Sequence, residues 1–114
     1  MTGSSDLSGV ALREFPLVEI REYRIRPKVR GLFWDNYREI GLPVQMRYLK
    51  NPLGFFFVDV GSPNVFVHMW GYESTSDREK ARALLHDDNH WNDYVKMAHE
   101  YIDEINIRLL QTLK

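Results

Sequence analysis

The chain of 114 residues contains no cysteine, and this absence removes several classes of function at once. Without thiols the chain has no disulfide, no cysteine nucleophile and no thiolate-bound metal or iron–sulfur cluster. It also lacks an excess of charge of either sign, because 15 basic residues are balanced by 16 acidic ones. A nucleic-acid-binding surface requires a basic patch, so this balance predicts no nucleic-acid partner.

Long apolar runs and leader patterns are missing as well. No stretch approaches the ~20 apolar residues of a membrane span, and residues 1–9 have neither a basic start nor a hydrophobic centre. We therefore expect no membrane partner and a cytoplasmic location, which the lack of cysteine also fits. The length suits a loose Ser/Gly-rich arm over residues 1–15 and a single domain over residues 16–114.

The apolar centre of the chain, residues 53–73, predicts a β-hairpin. β-branched and aromatic residues lie on both sides of a Gly-Ser-Pro-Asn turn. A tight turn would pair Phe56 with Met69 on one face of the hairpin and Phe55 with Trp70 on the other. The first face is largely aliphatic and the second is aromatic with one His and one Asp, so neither face of the predicted sheet is polar.

The flanking segments predict two further strands and a first helix. Residues 17–26 mix β-branched and charged residues and read as a strand, which Pro27 ends. From residue 29 the apolar period becomes helical, with a break expected near Gly41. The alternation that begins near Glu104 favours a final strand. The apolar face of the first helix would contain Phe33, Tyr37, Ile40 and Val44.

Two more helices are predicted between the hairpin and the last strand. Ser76 and Glu79 have the spacing of a capping box, and Asp88 or Asn89 is suited to cap the next helix. The buried positions would be Ala81, Leu84 and Leu85 in the first of these helices and Trp91, Tyr94, Val95, Ala98 and Tyr101 in the second.

The resulting order, β-α-β-β-α-β, is the ferredoxin-like plan of an α+β domain. It predicts a four-stranded antiparallel sheet with helices on one face. The other face would be bare although it is apolar, and two such sheets packed face to face would cover it. A homodimer is therefore expected.

Several segments resemble the NIPSNAP family, and together they extend over about residues 17–112. The resemblance implies a dimeric α+β barrel, in which two ferredoxin-like sheets pack across a twofold axis. It implies no reaction, since members are known as mitochondrial or trafficking-related proteins in animals and as uncharacterised small proteins in bacteria, and this chain is similar to the bacterial kind. The segments are residues 18–27, 41–45 and 67–74, then Asp77, Arg78, Trp91 and Tyr94.

His68 is the first candidate for a catalytic residue, because a histidine among aromatic residues can have a perturbed pKa and act as a general base. The alternative is a structural histidine that donates a hydrogen bond across the dimer interface or to a neighbour on the sheet. Tyr23 and Arg21 would join His68 if their strand lies beside it, and Arg21 could then hold a carboxylate or an enolate. The alternative for Arg21 is an ion pair with Glu19 or Glu73.

A metal site is the remaining chemical possibility, because His86 and His90 are four residues apart with Asp87 and Asp88 between them. This spacing places two ligands on one face only when the segment is helical. The helix start expected at Asp88 or Asn89 breaks that geometry, so we predict no metal site. No glycine-rich phosphate loop is present, and we predict no cofactor.

These patterns predict a homodimer of unassigned biochemical activity, with an apolar pocket for a small hydrophobic molecule between the sheet and the helices of each protomer. One alternative is a cofactor-free monooxygenase or isomerase, as on other dimeric α+β barrels, with His68 as the base for an enolisable substrate. A second is a protein-interaction module that uses its surface or its N-terminal arm. The predicted pocket residues are Phe33, Tyr37, Phe56, Val58, Val67 and Met69, and the predicted dimer contacts are Phe55, Phe57, Phe66, Trp70 and His68.

Overall fold

The computed structural model describes residues 14–113, which form an antiparallel sheet with helices packed on one side. Its strands are β1 (Leu17–Ile25), β2 (Pro52–Phe57), β3 (Val65–Tyr72) and β4 (Ile102–Gln111). Its helices are α1 (Arg30–Asn36), α2 (Leu42–Tyr48), α3 (Thr75–His86) and α4 (Asn89–Ala98). A π-helical turn (Tyr37–Gly41) joins α1 to α2, and a 3-10 turn (His99–Tyr101) joins α4 to β4. Most of the arm predicted for residues 1–15 lies outside the described residues.

The four strands lie side by side in the order β2-β3-β1-β4, which confirms the predicted ferredoxin-like plan. In the centre, Arg21 of β1 is opposite His68 of β3. On its other side β1 pairs with β4, and Tyr23 is opposite Ile105. The last segment is therefore a strand, as predicted, although it begins at Ile102 rather than near Glu104.

The hairpin between β2 and β3 has a longer loop than the predicted tight turn. Residues 58–64 connect the two strands, so that Phe56 pairs with Val67 and Phe55 pairs with His68. This register differs from the predicted one by two residues. Because the period of a strand is also two, side chains predicted to share a face still share it.

The break predicted near Gly41 is a π-helical turn, so the chain does not leave the helical conformation between α1 and α2. Gly41 is buried there, and a Cβ atom at this position would lie 2.7 Å from the ring of Tyr94. The absent side chain therefore lets α4 approach the turn. Within the π turn Tyr37 and Gly41 are the buried residues, and Ile40 is 45% exposed instead of on the predicted buried face.

Helix α3 begins two residues before the predicted capping box. Ser74 is its N-cap, and the Ser74 hydroxyl accepts the backbone N–H of Asp77 at 3.1 Å. Ser76, the predicted cap, lies inside the first turn. Leu85 is buried as predicted, whereas Leu84, which points to a different side of the helix, is 57% exposed.

Helix α4 is capped by Asp88, one of the two residues predicted for this role. One carboxylate oxygen accepts the backbone N–H groups of His90 at 2.8 Å and Trp91 at 3.3 Å. The other oxygen accepts the hydroxyl of Tyr48 at 2.6 Å, which fixes α2 beside the start of α4.

In the part of the chain that the structure describes, no helix is both long enough and apolar enough to cross a bilayer.

The helices cover the aromatic face of the sheet, which is the reverse of the predicted arrangement. The ring centroid of Phe66 lies 5.1 Å from that of Phe33 in α1 and 5.5 Å from that of Tyr37 in the π turn. These contacts place the predicted dimer residues beneath the helices instead of in an interface between sheets. They are Phe55, Phe57, Phe66, His68 and Trp70.

The aliphatic face of the sheet is the bare one. Phe56, Val67 and Met69, which were predicted to line a pocket under the helices, alternate with the covered residues and point to the opposite side. Val58, predicted to join them, lies in the loop just after β2. The alternation of side chains along a strand shows which residues share a face of the sheet. Because both faces of the hairpin are apolar, it does not show which face the helices cover. The larger aromatic rings fill the space between the sheet and the helices.

Candidate functional site

The three residues predicted to carry chemistry, Arg21, Tyr23 and His68, lie together on the covered face of the sheet. Arg21 and His68 are direct neighbours across β1 and β3, and the ring centroids of Tyr23 and His68 are 5.1 Å apart. Strand alternation produces this grouping, because residues two apart in β1 point to the same side. The predicted cluster is therefore present, although it faces the helices and not a second sheet.

His68 is completely buried, and its hydrogen bonds identify its tautomer. Trp70 Nε1 can only donate and lies 2.9 Å from His68 Nδ1, so Nδ1 accepts and the ring proton is on Nε2. Burial, reinforced by the Arg21 guanidinium, lowers the pKa of His68 to about 3. The ring is therefore neutral at physiological pH. Its lone pair is already engaged, so the geometry does not favour a general base at this position.

Glu19 is the buried anion of the site. Its Oε2 accepts Arg21 Nη1 at 2.8 Å and Arg78 Nη2 at 2.9 Å, and its Oε1 accepts the Tyr72 hydroxyl at 3.2 Å. Burial by itself would raise the carboxyl pKa, but the hydrogen bonds and charges of the arginines outweigh it and hold the pKa of Glu19 below its usual value. The Arg21–Glu19 ion pair weighed from the sequence is therefore present. Arg21 also donates Nε to the Tyr23 hydroxyl at 3.0 Å.

Arg82 of α3 is the residue of this site that sequence reasoning missed. Its Nη1 is buried and has no hydrogen-bond partner within residues 14–113. Burial, and then the charge of Arg21, lower the pKa of Arg82. The sequence spacing does indicate a buried position for Arg82. Arg78 and Arg82 are four residues apart and share one side of α3, and Leu85 on the same side is fully buried. An arginine on the buried side of a helix indicates a buried charge, but the helix residues considered from the sequence as chemical candidates were histidines and carboxylates.

A cavity of about 150 Å³ lies between these charged residues and α4. Its polar lining comes from β1, the π turn, α3 and the 3-10 turn, and its apolar lining comes from α4 and β4. The polar residues are Arg21, Tyr23, Tyr37, Arg82, His86 and His99, and the apolar residues are Trp91, Tyr94, Val95, Ala98, Ile102 and Ile105.

Of the six residues predicted to line a pocket, Tyr37 lines this cavity. Its hydroxyl donates to Gln45, and burial raises the pKa of Tyr37, so the phenol is neutral. Phe33 is buried among other rings instead, with its ring stacked at 6.1 Å from that of Tyr37. Trp91 and Tyr94, which were predicted to be buried in a helix stripe and not to line a pocket, form part of the cavity wall.

Beyond the cavity, β4 continues as an apolar wall that the helices leave open. Ile105, Ile107 and Leu109 are opposite Tyr23, Arg21 and Glu19 across the β1–β4 pairing, so they point to the covered side of the sheet. They are nevertheless 43–46% exposed, so the helices do not cover this edge of the sheet completely. The cavity is thus enclosed by helices at the sheet centre and opens towards β4.

The histidine pair considered as a metal site is divided between two elements. His86 ends α3 and His90 lies in the first turn of α4, so the one-face geometry of a continuous helix does not exist. Within residues 14–113, no three His, Asp or Glu side chains converge in a group that could hold a metal ion. His86 instead lines the cavity, where burial and the neighbouring Arg82 lower its pKa.

Comparisons with known proteins agree with this architecture. The family model NIPSNAP matches residues 18–114. A NIPSNAP family protein from Agrobacterium tumefaciens superposes with a TM-score of 0.82 at 33% identity, covering 85% of this chain and 92% of that one. The NipSnap homolog 2 of Danio rerio is 27% identical over 100 residues, which are 86% of this chain. The match spans only 34% of that relative, so this chain corresponds to about a third of its length.

A more distant structure shares the fold alone. An antibiotic biosynthesis monooxygenase superposes with a TM-score of 0.62 at 19% identity, covering 86% of this chain and 99% of that one. The names of the two NIPSNAP relatives above state a family and no reaction.

Proposed function

The chain belongs to the NIPSNAP family, and on this basis we propose a homodimer that binds a small apolar molecule in the cavity between the sheet and helices α3 and α4 of each protomer. Family membership assigns no biochemical activity, so the proposal depends on the geometry. The observation that carries it is a cavity with apolar walls and a few converging polar groups, which is the usual composition of a ligand site.

The size of the cavity limits the ligand. A volume of about 150 Å³ is comparable to that of engineered apolar cavities that accommodate benzene. We therefore propose a ligand whose buried part is one aromatic ring or a short branched chain. A longer ligand would extend along the apolar wall of β4, past Ile105 towards Ile107.

Dimerisation is supported by the bare face of the sheet. Ile20, Phe56, Val67 and Met69 give this face an apolar centre, and Phe56 is 52% exposed in the single chain. A second copy presents the same surface, and packing of two such faces removes both from water. The interface that we propose therefore uses the face opposite to the one predicted from the sequence.

The geometry supports binding better than catalysis. The base proposed from the sequence, His68, is neutral, is engaged by Trp70 and does not line the cavity. Arg21 and Tyr23 do line it, but each also serves the buried hydrogen-bond network. The likeness to a monooxygenase is one of fold and assigns no reaction.

We further propose a bacterial origin and a cytoplasmic location. The identity of 33% to a bacterial relative, against 27% to the fish relative, supports the first. The lack of cysteine in the chain suits a reducing compartment.

The cavity can be tested by filling it. Ala98 lines the cavity and is 4% exposed, so Ala98→Leu would occupy part of the volume. We expect benzyl alcohol to bind the wild-type protein saturably in an NMR titration, and Ala98→Leu to weaken that binding at least tenfold. Ala83→Leu is the matched control, because it adds the same side chain at an exposed position of α3. Equal binding by all three proteins would place the ligand elsewhere.

A further inference from the structure

We propose that the ligand of this cavity is a small carboxylate, whose anionic group is bound by Arg82 together with Arg21. The inference rests on the proposed function and specifies its ligand class.

The buried cluster contains more cations than anions. Arg21, Arg78 and Arg82 contribute three guanidinium groups, and Glu19 is the one carboxylate within residues 14–113 to which members of the cluster are hydrogen-bonded. Tyr37, Tyr72 and Tyr94 do not supply a second anion, because burial raises their pKa, to about 12 in the case of Tyr72. The cluster therefore has two positive charges that its own residues do not neutralise.

The three arginines are not equivalent. Glu19 Oε2 accepts from both Arg21 and Arg78, and Glu19 Oε1 accepts from Tyr72, so both oxygens of the carboxylate already have partners. Arg78 Nε and Arg82 Nη1 are both buried without a partner, but Arg78 donates another N–H to Glu19, whereas Arg82 makes no side-chain hydrogen bond in the described part of the chain. A buried guanidinium N–H without an acceptor is rare in folded proteins. Since Arg82 lines the cavity, an acceptor placed in the cavity can satisfy it.

A carboxylate matches both requirements. It supplies negative charge, and its two oxygens can accept from a planar guanidinium, which binds carboxylates with favourable geometry. A neutral hydroxyl would supply an acceptor but no charge, and a cation would be repelled by the two arginines that line the cavity.

The lining also fixes the orientation of such a ligand. The guanidinium groups of Arg21 and Arg82 come from β1 and α3, whereas α4 and β4 contribute apolar residues such as Val95, Ala98 and Ile105. The carboxylate would therefore lie at β1 and α3, and the ring or branched chain would pack against α4 and β4.

Three probes of matched size and different charge test the inference. Benzoate, benzyl alcohol and benzylammonium are titrated into the folded wild-type protein at pH 7 and low salt, with binding followed by NMR. We expect benzoate to bind at least tenfold more tightly than benzyl alcohol, and benzylammonium to bind more weakly than either. Higher salt should weaken benzoate binding more than benzyl alcohol binding.

Variants then assign the preference to Arg82. Arg82→Gln should remove the preference, so that benzoate and benzyl alcohol bind to this variant with about equal affinity. Arg82→Lys, which keeps the charge, should retain part of the preference. Lys80→Gln is the matched control, because it removes an exposed positive charge from the same helix and should change neither affinity.

The outcomes separate this inference from the proposed function. If benzyl alcohol binds and benzoate binds no more tightly, the cavity is a ligand site but the carboxylate assignment is wrong. If Arg82→Gln weakens both probes equally, Arg82 supports the structure rather than the ligand and the inference is overturned. If none of the three probes binds, the proposed function fails as well.

Discussion

Two buried ionisable residues on neighbouring strands, Glu19 and His68, are held in opposite states by their surroundings. Glu19 remains an anion because Arg21 and Arg78 donate to it, which outweighs the cost of its burial. His68 is neutral because it is buried among aromatic rings beside the cation of Arg21, and these effects outweigh the opposite influence of Glu19 on its pKa. Residue type alone does not determine such states; the partners do.

The neutral state of His68 makes a prediction about acid stability. The pKa of His68 is about 3 in the folded protein and about 6.5 in the unfolded chain. Between these values the unfolded state binds more protons, so the free energy of unfolding contributed by His68 falls as pH decreases from 6.5 to 3, by at most ~1.4 kcal/mol per pH unit. Above pH 6.5 this contribution is complete and constant.

The variant His68→Asn isolates this effect, because asparagine keeps an acceptor for Trp70 and does not titrate. Urea unfolding at several pH values should show a steeper acid loss of stability in the wild type than in His68→Asn. Parallel slopes for the wild type and His68→Asn would mean that His68 is protonated in the folded state.

At the scale of elements, the sequence identified every helix and strand of residues 14–113 but placed some boundaries wrongly. The apolar periods that define an element extend over its whole length, whereas a boundary depends on one cap or one turn. Ser74 and Ser76 both satisfy the composition rule for an N-cap, and only the backbone of the folded chain distinguishes them. The π turn at Tyr37–Gly41 was similarly recognised as an irregularity near Gly41 but not as a continuous helix.

The position of the cap can be checked by two matched substitutions. Ser74→Ala should lower the free energy of unfolding by about 1 kcal/mol, because the backbone N–H of Asp77 loses its acceptor. Ser76→Ala should change it by less than about 0.5 kcal/mol, since Ser76 is exposed inside the first turn and alanine favours helix. Chemical denaturation of both variants measures the difference. A larger loss for Ser76→Ala would restore the capping box predicted from the sequence.

At the scale of the whole molecule, the strand order was predictable and the packing of its two faces was not. The order β2-β3-β1-β4 follows from the sequence of elements and from the ferredoxin-like plan. The helices pack on the face whose aromatic rings fill the space between the sheet and the helices. The alternation of side chains along the strands does not show how well those rings fit. For the same reason the sequence grouped Arg21, Tyr23 and His68 correctly but did not find Arg82, which reaches them from another element.

The proposed dimer follows from the corrected faces. Met69 lies in the middle of the bare face, so Met69→Glu would place a charge in the proposed interface. Light scattering should give about twice the chain mass of 13.5 kDa for the wild type and the mass of a single chain for Met69→Glu. Leu32→Glu is the control, because Leu32 is 50% exposed on α1 and away from this face. A wild-type protein of single-chain mass at micromolar concentration would refute the dimer.

The most direct test of the account is to locate a bound ligand by methyl NMR, with benzyl alcohol as the probe. The account predicts chemical-shift changes at the methyl groups of Val95, Ala98 and Ile105, which line the cavity, and none at Val67 or Met69 on the bare face. Changes confined to Val67 and Met69 would contradict it, because the ligand would then occupy the opposite side of the sheet.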